Sequence, residues 1–309
     1  MNTKELKTAV NVCGVEFKNP IITASGTFGF GEEYGEYAPL SEYGGFAAKG
    51  LTRVARAGNK PPRIAETPSG ILNSVGLQNP GVEYFASDIM PKLAKTADTN
   101  VIANMSGNTI EEYCEMAAIL SETDVAMIEM NISCPNVKHG GLAFGTNPDV
   151  VYELTSEVKK HCKKPLIVKL SPNVTSIKDI AKAAENGGAD AVSLINTLLG
   201  MVIDINTRRP ILANNMGGLS GPAVKPVAVR MVYEVASTVN IPVIGMGGVM
   251  SGDDVIEFML AGASLVALGT GMFIKPGLIL SVKKDIEKYM ISHNIEDIND
   301  IIGTVQLNS

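Results

Sequence analysis

Eight short apolar runs recur along the chain, at 20–26, 45–51, 100–107, 126–133, 165–172, 189–197, 241–248 and 263–271. Each is rich in β-branched or small apolar residues and ends near Gly, Asn, Ser or Thr. Their apolar character is nearly continuous rather than alternating. That is the pattern of strands buried on both faces of a parallel sheet. Helical patterns fill the gaps at 80–96, 109–120, 149–162, 176–186, 222–237 and 251–260. Thr109 followed by Glu111 and Glu112 is an N-terminal signal, and Asn186-Gly187-Gly188 and Ala261-Gly262 are stops. Eight strands with interleaved helices predict a (β/α)8 barrel. The competing doubly wound dinucleotide fold lacks a GxGxxG after an early strand.

The length of 309 residues fits a single barrel, and a composition 45% hydrophobic excludes a mainly disordered chain. We expect one domain over 1–309, with 1–19 forming a hairpin under the barrel. Two long βα connections, 53–79 and 198–221, depart from a minimal barrel, and such loops are where barrels place chemistry. With 26 Lys+Arg against 32 Asp+Glu, the net charge of -6 gives no field for nucleic acid or an anionic membrane. No run of apolar residues is long enough to span a bilayer, and the first residues lack the apolar core of a signal peptide. The four cysteines form no CxxC pair, and the three histidines complete no metal spacing. A cytoplasmic enzyme with reduced thiols is the expected class.

The strand ends carry the candidate chemistry. Lys49 and Lys169 each close an apolar run, where an ammonium must find a partner. A local carboxylate is one such partner. The alternative is an anion, or a cofactor that gains negative charge in turnover; a Schiff-base aldolase is a rival for Lys169. The segment 129–145 leaves the fourth strand for a glycine-rich loop and holds Asn131, Cys134, Asn136 and His139. Cys134, at the strand exit, suits a nucleophile or general base, or a plain structural thiol. His139 reads as a surface residue. Cys13, Cys114 and Cys162 lack such company. Asn73 to Leu77, Asn104 and Asn196-Thr197 add neutral hydrogen-bonding groups. Glu129 is the one carboxylate in the middle of a run, Asp190 standing at the start of another, which argues against a glycosidase with its two opposed acids. Glycines in 245–249 and 267–272 let backbone amides approach a phosphate at the usual place in this fold.

Taken together, AAKG at 47–50, NSVGLQN at 73–79, NISCPN at 131–136, NTLLGMVID at 196–204, GGLSGPAVKP at 217–226, GMGG and LGTG resemble the class 1 dihydroorotate dehydrogenases. They run in order over nearly the whole chain. The resemblance implies an FMN-containing barrel that oxidises dihydroorotate to orotate in pyrimidine synthesis. It makes Cys134 the base for substrate C5 and sets Lys49 and Asn131 between flavin and substrate. Asn73, Ser74, Val75, Gly76 and Leu77, with Asn196 and Thr197, then hold the substrate. Lys169 supports the flavin ring, and Ser25, Gly50, Asn104, Ile195 and Gly221 contact it. Gly247, Gly248, Gly269 and Thr270 form the phosphate cradle.

Membrane-associated class 2 enzymes use Ser where this chain has Cys134. GGLAFGT at 140–146 and IDINTRRP at 203–210 look like class 1B. In that class a partner subunit carrying FAD and a 2Fe–2S cluster passes electrons to NAD, in a 2:2 heterotetramer built on a catalytic homodimer. Class 1A, a fumarate-reducing homodimer, is the alternative. Dihydropyrimidine dehydrogenases and a non-catalytic flavin-binding barrel are further readings.

Overall fold

The computed structural model describes residues 6–133 and 144–308. Its strands are β1 (Val10–Val12), β2 (Val15–Phe17), β3 (Ile21–Thr23), β4 (Gly45–Ala47), β5 (Ile64–Thr67), β6 (Gly70–Asn73), β7 (Asn100–Met105) and β8 (Met127–Asn131). They continue as β9 (Leu166–Lys169), β10 (Ala191–Leu194), β11 (Leu198–Gly200), β12 (Ile203–Asp204), β13 (Arg209–Pro210), β14 (Gly217–Ser220), β15 (Val243–Met246) and β16 (Ala263–Leu268). Eight of them make a parallel sheet in the order β3-β16-β15-β10-β9-β8-β7-β4. Gly44 N donates to Ile21 O at 2.9 Å, which brings the two outer strands together and nearly closes the sheet. Every apolar run of the sequence contains one of these strands, so the α/β barrel is the observed fold.

The reason lies in burial. Strands β3, β4, β8, β9, β10 and β15 are buried at every residue. Helices cover them: α1 (Val82–Tyr84), a π turn over Phe85–Ile89, α2 (Met90–Thr96), α3 (Ile110–Ser121), α4 (Pro148–His161), α5 (Ile177–Asn186), α6 (Lys225–Ala236), α7 (Gly252–Leu260), α8 (Gly271–Ile274) and α9 (Leu278–Ser292). In α5 the buried residues are Ile177, Ile180, Ala181, Ala183 and Ala184, a face at helical spacing. The Thr109, Asn147, Ser176 and Ser251 side chains cap the helices that follow them. Helix α9 is an addition to the sequence reading. No helix among the described residues is long and apolar enough to cross a membrane.

The bottom of the barrel is covered by the β1–β2 hairpin, Val10 to Phe17, which lies within the 1–19 segment. Cys13 and Gly14 turn it with φ of 54° and 82°. Val10, Val12 and Phe17 face inward while Asn11 and Glu16 are exposed. Asn100 Nδ2 donates to Glu16 O, and the Cys13 thiol donates to Asp190 O just before β10. Burial pushes the Cys13 thiol up to about 11, and burial likewise raises Cys114 and Cys162. These are inert thiols rather than thiolates.

At the opposite end the two long connections meet. β5 and β6 come from the first and β11 and β14 from the second, and they pair as one antiparallel sheet in the order β11-β14-β6-β5. Asn73 lies opposite Gly218 and Leu72 opposite Leu219. Ala65, Leu72 and Leu212 make a small apolar cluster of their own beneath Val202 and Leu219.

The turn after β15 is tied down by one carboxylate. Asp254 Oδ2 accepts from Met250 N at 2.8 Å and Ser251 N at 2.9 Å, and Oδ1 accepts from Lys225 Nζ at 2.6 Å. Burial raises the Asp254 carboxyl, but these donors overcome it and hold the group below its ordinary value. The folded value lies below the unfolded one, so the stabilisation is complete above about pH 4 and is lost as pH falls through the folded value. Asp254→Asn is therefore expected to cost about 1–3 kcal/mol at pH 7. Urea unfolding at pH 7 and pH 3 checks this, with a gap between variant and wild type that narrows at the lower pH.

Candidate active site

One cavity opens at the C-terminal ends of the barrel strands, under the antiparallel sheet. Its floor comes from strand alternation. Asn104 on β7 is opposite Glu129 on β8, Asn131 is opposite Lys169 on β9, and Lys169 is opposite Ser193 on β10. All five are buried. Glu129 Oε2 accepts from Asn104 Nδ2 at 2.6 Å, Oε1 accepts from Ser193 Oγ at 2.7 Å, and Lys169 Nζ lies 3.9 Å from Oε2. Asn104 and Lys169 line the cavity, and Glu129 sits behind them. Asn104 Oδ1 is buried without a hydrogen-bond partner among the described residues. A buried acceptor left so is costly unless a ligand donor meets it.

Beside the floor, Gly50 gives the cavity its depth. A Cβ there would lie 2.9 Å from Asn104 Oδ1 and 3.3 Å from Leu77 Cδ2. Lys49 precedes it, its backbone N held by Gly29 O. Ser25 Oγ donates to Ala48 O at 2.9 Å. Lys49 and Lys169 are the charged side chains of the cavity wall among the described residues. The cavity is thus locally cationic in an acidic chain.

A chain of amides forms one wall. Asn196 Nδ2 donates to Ser133 Oγ at 2.7 Å, and Ser133 Oγ donates to Asn131 Oδ1 at 2.8 Å. Tyr113 OH, from α3, donates to Asn131 O at 2.8 Å. Thr197 N donates to Asn196 Oδ1 at 2.7 Å, and Asn173 Nδ2 donates to Thr197 O at 3.0 Å. Asn73 reaches the same space from the antiparallel sheet, with Nδ2 3.4 Å from Gly218 O. Val75, Gly76 and Leu77 follow it along the wall, with Gly76 at φ 79° and Leu77 at φ 54°.

Ser74 differs from its neighbours. Its hydroxyl accepts from Asn59 Nδ2 at 3.2 Å and from Asn214 Nδ2 at 3.1 Å, and the residue does not line the cavity. It braces the two long connections, where the sequence reading grouped it with the ligand-holding turn.

At the far end the backbone itself is the wall. Gly221, Gly247 and Gly248 have φ of 110°, 133° and 77°. A Cβ on Gly248 would lie 2.8 Å from Gly221 O and 3.0 Å from Lys225 N. Thr270 Oγ1 donates to Ser220 Oγ at 2.8 Å, and Gly269 and Ile195 complete this end. Lys225 Nζ is engaged by Asp254 and Glu257 at 2.6 Å each. Their carboxylates hold its ammonium above the usual lysine range.

The cavity therefore joins Ser25, Lys49, Gly50, Asn104, Asn131 and Lys169 with the Asn73 turn, the Asn196 pair and the glycine end. Cys134, Asn136 and His139 lie outside the described residues. Ser133, Asn173, Tyr113, Ser193 and Asn59 were not singled out from sequence. Ser133 stood inside the NISCPN motif, and the others had no local signal, since their partners are far along the chain.

Known proteins give the chain its relatives. The family model described as dihydroorotate dehydrogenase matches residues 7–290. The catalytic subunit of dihydroorotate dehydrogenase B (NAD(+)) from Alkaliphilus metalliredigens (strain QYMF) is 57% identical over 296 residues, covering 96% of this chain and 98% of its own. The subunit of the same name from Thermoanaerobacter pseudethanolicus (strain ATCC 33223 / 39E) is 56% identical over 298 residues, covering 96% and 98%. That from Bacteroides thetaiotaomicron is 52% identical over 300 residues, covering 97% and 99%. A match of this extent and identity, on a barrel whose amides, lysines and glycines meet in one cavity, places the chain in the dihydroorotate dehydrogenase family.

Proposed function

We propose that the chain oxidises dihydroorotate to orotate in pyrimidine synthesis, as the catalytic subunit of a B-type enzyme. The observation that carries the reading is the polarity of the cavity at the C-terminal strand ends: a wall of neutral amides at one end, a left-handed glycine turn at the other, two lysines between. A planar substrate bearing a carboxylate and imide groups suits the amide wall. A phosphate suits the glycine end, where backbone amides can approach it.

The residues fit FMN. Gly50 leaves room where a side chain would press on Asn104, and the buried Asn104 Oδ1 calls for a donor from a ring system. Lys169 and Lys49 would flank the ring, and Gly221, Gly247, Gly248, Gly269 and Thr270 would hold the phosphate. Bound FMN supplies the acceptor for the hydride from substrate C6.

The chain's own part is orientation and proton transfer. Asn73, Asn131 and Asn196 would fix the substrate in its plane, each amide being itself held by neighbours. Positioning of this kind lowers the barrier by removing rotational freedom before reaction. Cys134 follows Ser133 directly, and Ser133 is anchored through N and Oγ to Asn131 Oδ1. In this reading the Cys134 sulfur takes the proton from substrate C5. The similarity to proteins named as the catalytic subunit of dihydroorotate dehydrogenase B (NAD(+)) supports onward transfer of electrons through a partner subunit to NAD. We propose that this partner carries FAD and a 2Fe–2S cluster, in a 2:2 assembly.

Anaerobic titration with dihydroorotate tests the reading. The flavin bands of the loaded chain are expected to bleach at one FMN per chain, and NAD with the partner subunit to restore them. Bands that stay oxidised in fully loaded protein would overturn it. Cys134→Ser is expected to keep FMN and slow its reduction by about 100-fold or more, with partial recovery at high pH. An unchanged rate removes Cys134 as the base. Gly50→Ala places a methyl against Asn104 and is expected to weaken FMN binding about tenfold or more, at native circular dichroism. Equilibrium dialysis reads the affinity.

A further inference from the structure

Glu129 is a carboxylate whose side chain is 4% exposed, in the interior of the barrel, and the mechanism above gives it no role. It does not line the cavity. Among the described residues its polar neighbours are Asn104 Nδ2 at 2.6 Å, Ser193 Oγ at 2.7 Å and Lys169 Nζ at 3.9 Å. Two of these, Asn104 and Lys169, line the cavity on the other side.

We propose that Glu129 is a positioning residue that sets the polarity of the cavity floor and balances the charge of Lys169. The proposal rests on the flavin reading above. A carboxylate only accepts hydrogen bonds, so Asn104 must turn Nδ2 toward it. The amide then turns Oδ1 toward Gly50 of the cavity wall, and that oxygen is the buried one without a partner among the described residues. Lys169 presents a donor beside it. The floor thus offers one acceptor and one cation side by side, and both are oriented from behind by the same carboxylate.

The second effect is electrostatic. Reduced FMN carries more negative charge on its ring than oxidised FMN. Lys169 favours that charge, and Glu129, close behind it in a poorly screened interior, opposes it. Glu129 therefore limits how far the floor stabilises the reduced ring. Ser193 spreads the carboxylate charge by its hydrogen bond and softens this opposition.

The test uses FMN-loaded wild type, Glu129→Gln and Ser193→Ala, reduced anaerobically by a chemical reductant against reference dyes without dihydroorotate. In Glu129→Gln the negative charge is gone, and an amide that can donate frees Asn104 to turn Nδ2 to the cavity. Both changes add positive potential. The variant is expected to favour reduced over oxidised FMN about tenfold more than wild type, a midpoint about 30 mV higher for a two-electron couple. Ser193→Ala keeps the charge and removes one bond to it, so its midpoint is expected to move the opposite way.

A purely structural Glu129 would weaken both redox forms equally and leave the midpoint in place, which overturns the proposal. Should Glu129→Gln fail to take up FMN, Ser193→Ala decides: a lowered midpoint supports the proposal, and an unmoved or raised one overturns it. Wild type that binds no FMN overturns the flavin reading and this proposal with it. Wild type that loads and reduces normally, with variants that do not shift, overturns this proposal and leaves the flavin reading standing.

Discussion

A carboxylate and an ammonium cannot be sealed inside an apolar barrel unless their hydrogen-bonding capacity is met there. Isolated, each would cost many kcal/mol to desolvate. Here Glu129 and Lys169 stand on adjacent strands 3.9 Å apart, and the two carboxylate oxygens are met by Asn104 and Ser193. The four residues come from four consecutive strands of the sheet, β7 to β10. Any shift in register between those strands would separate them. The polar floor and the parallel pairing therefore specify each other, and the rim above inherits its geometry from both.

The rim is shaped by a second long-range pairing. Residues from the connection after β4 and from the connection after β10 form one antiparallel sheet. Asn73 is held in that sheet opposite Gly218, and Ser74 behind it is clasped by Asn59 and Asn214. Groups that a loop would leave free to wander are thereby carried on paired backbone. The same economy appears at the glycine end, where Asp254 ties the turn after β15 to α7 and, through Lys225, to α6.

Much of this was legible in the chain because parallel strands announce themselves locally. Both faces are buried, so 126–133 or 165–172 reads as a strand without knowledge of its neighbours. Strand ends then point to the cavity, which is why Lys49, Asn104, Asn131, Lys169 and Asn196 could be named from position and motif. The joining of 70–73 to 217–220 was not legible, because no local pattern records a partner so distant along the chain. Ser74 was assigned by its neighbours, whereas its orientation depends on Asn59 and Asn214. Glu129 stood out as an acid within a strand, but its partners Asn104 and Ser193 become visible only once β7 and β10 flank their neighbours. Cys134 rests on the motif, since it lies outside the described residues.

The pairing of β6 with β14 also bears on how such a chain can change its length. Surface connections ordinarily tolerate gained or lost residues. In a paired strand a slip of one residue turns every side chain to the opposite face. A single residue inserted between Gly70 and Asn73 would face the amide away from the cavity even if every atom of the barrel stayed in place. The two longest connections of this protein are thus its least elastic ones. Lineages that vary the mouth of this barrel must do so in steps of two, by compensating in both connections at once, or in the short turn of β12–β13, which lies outside the pairing.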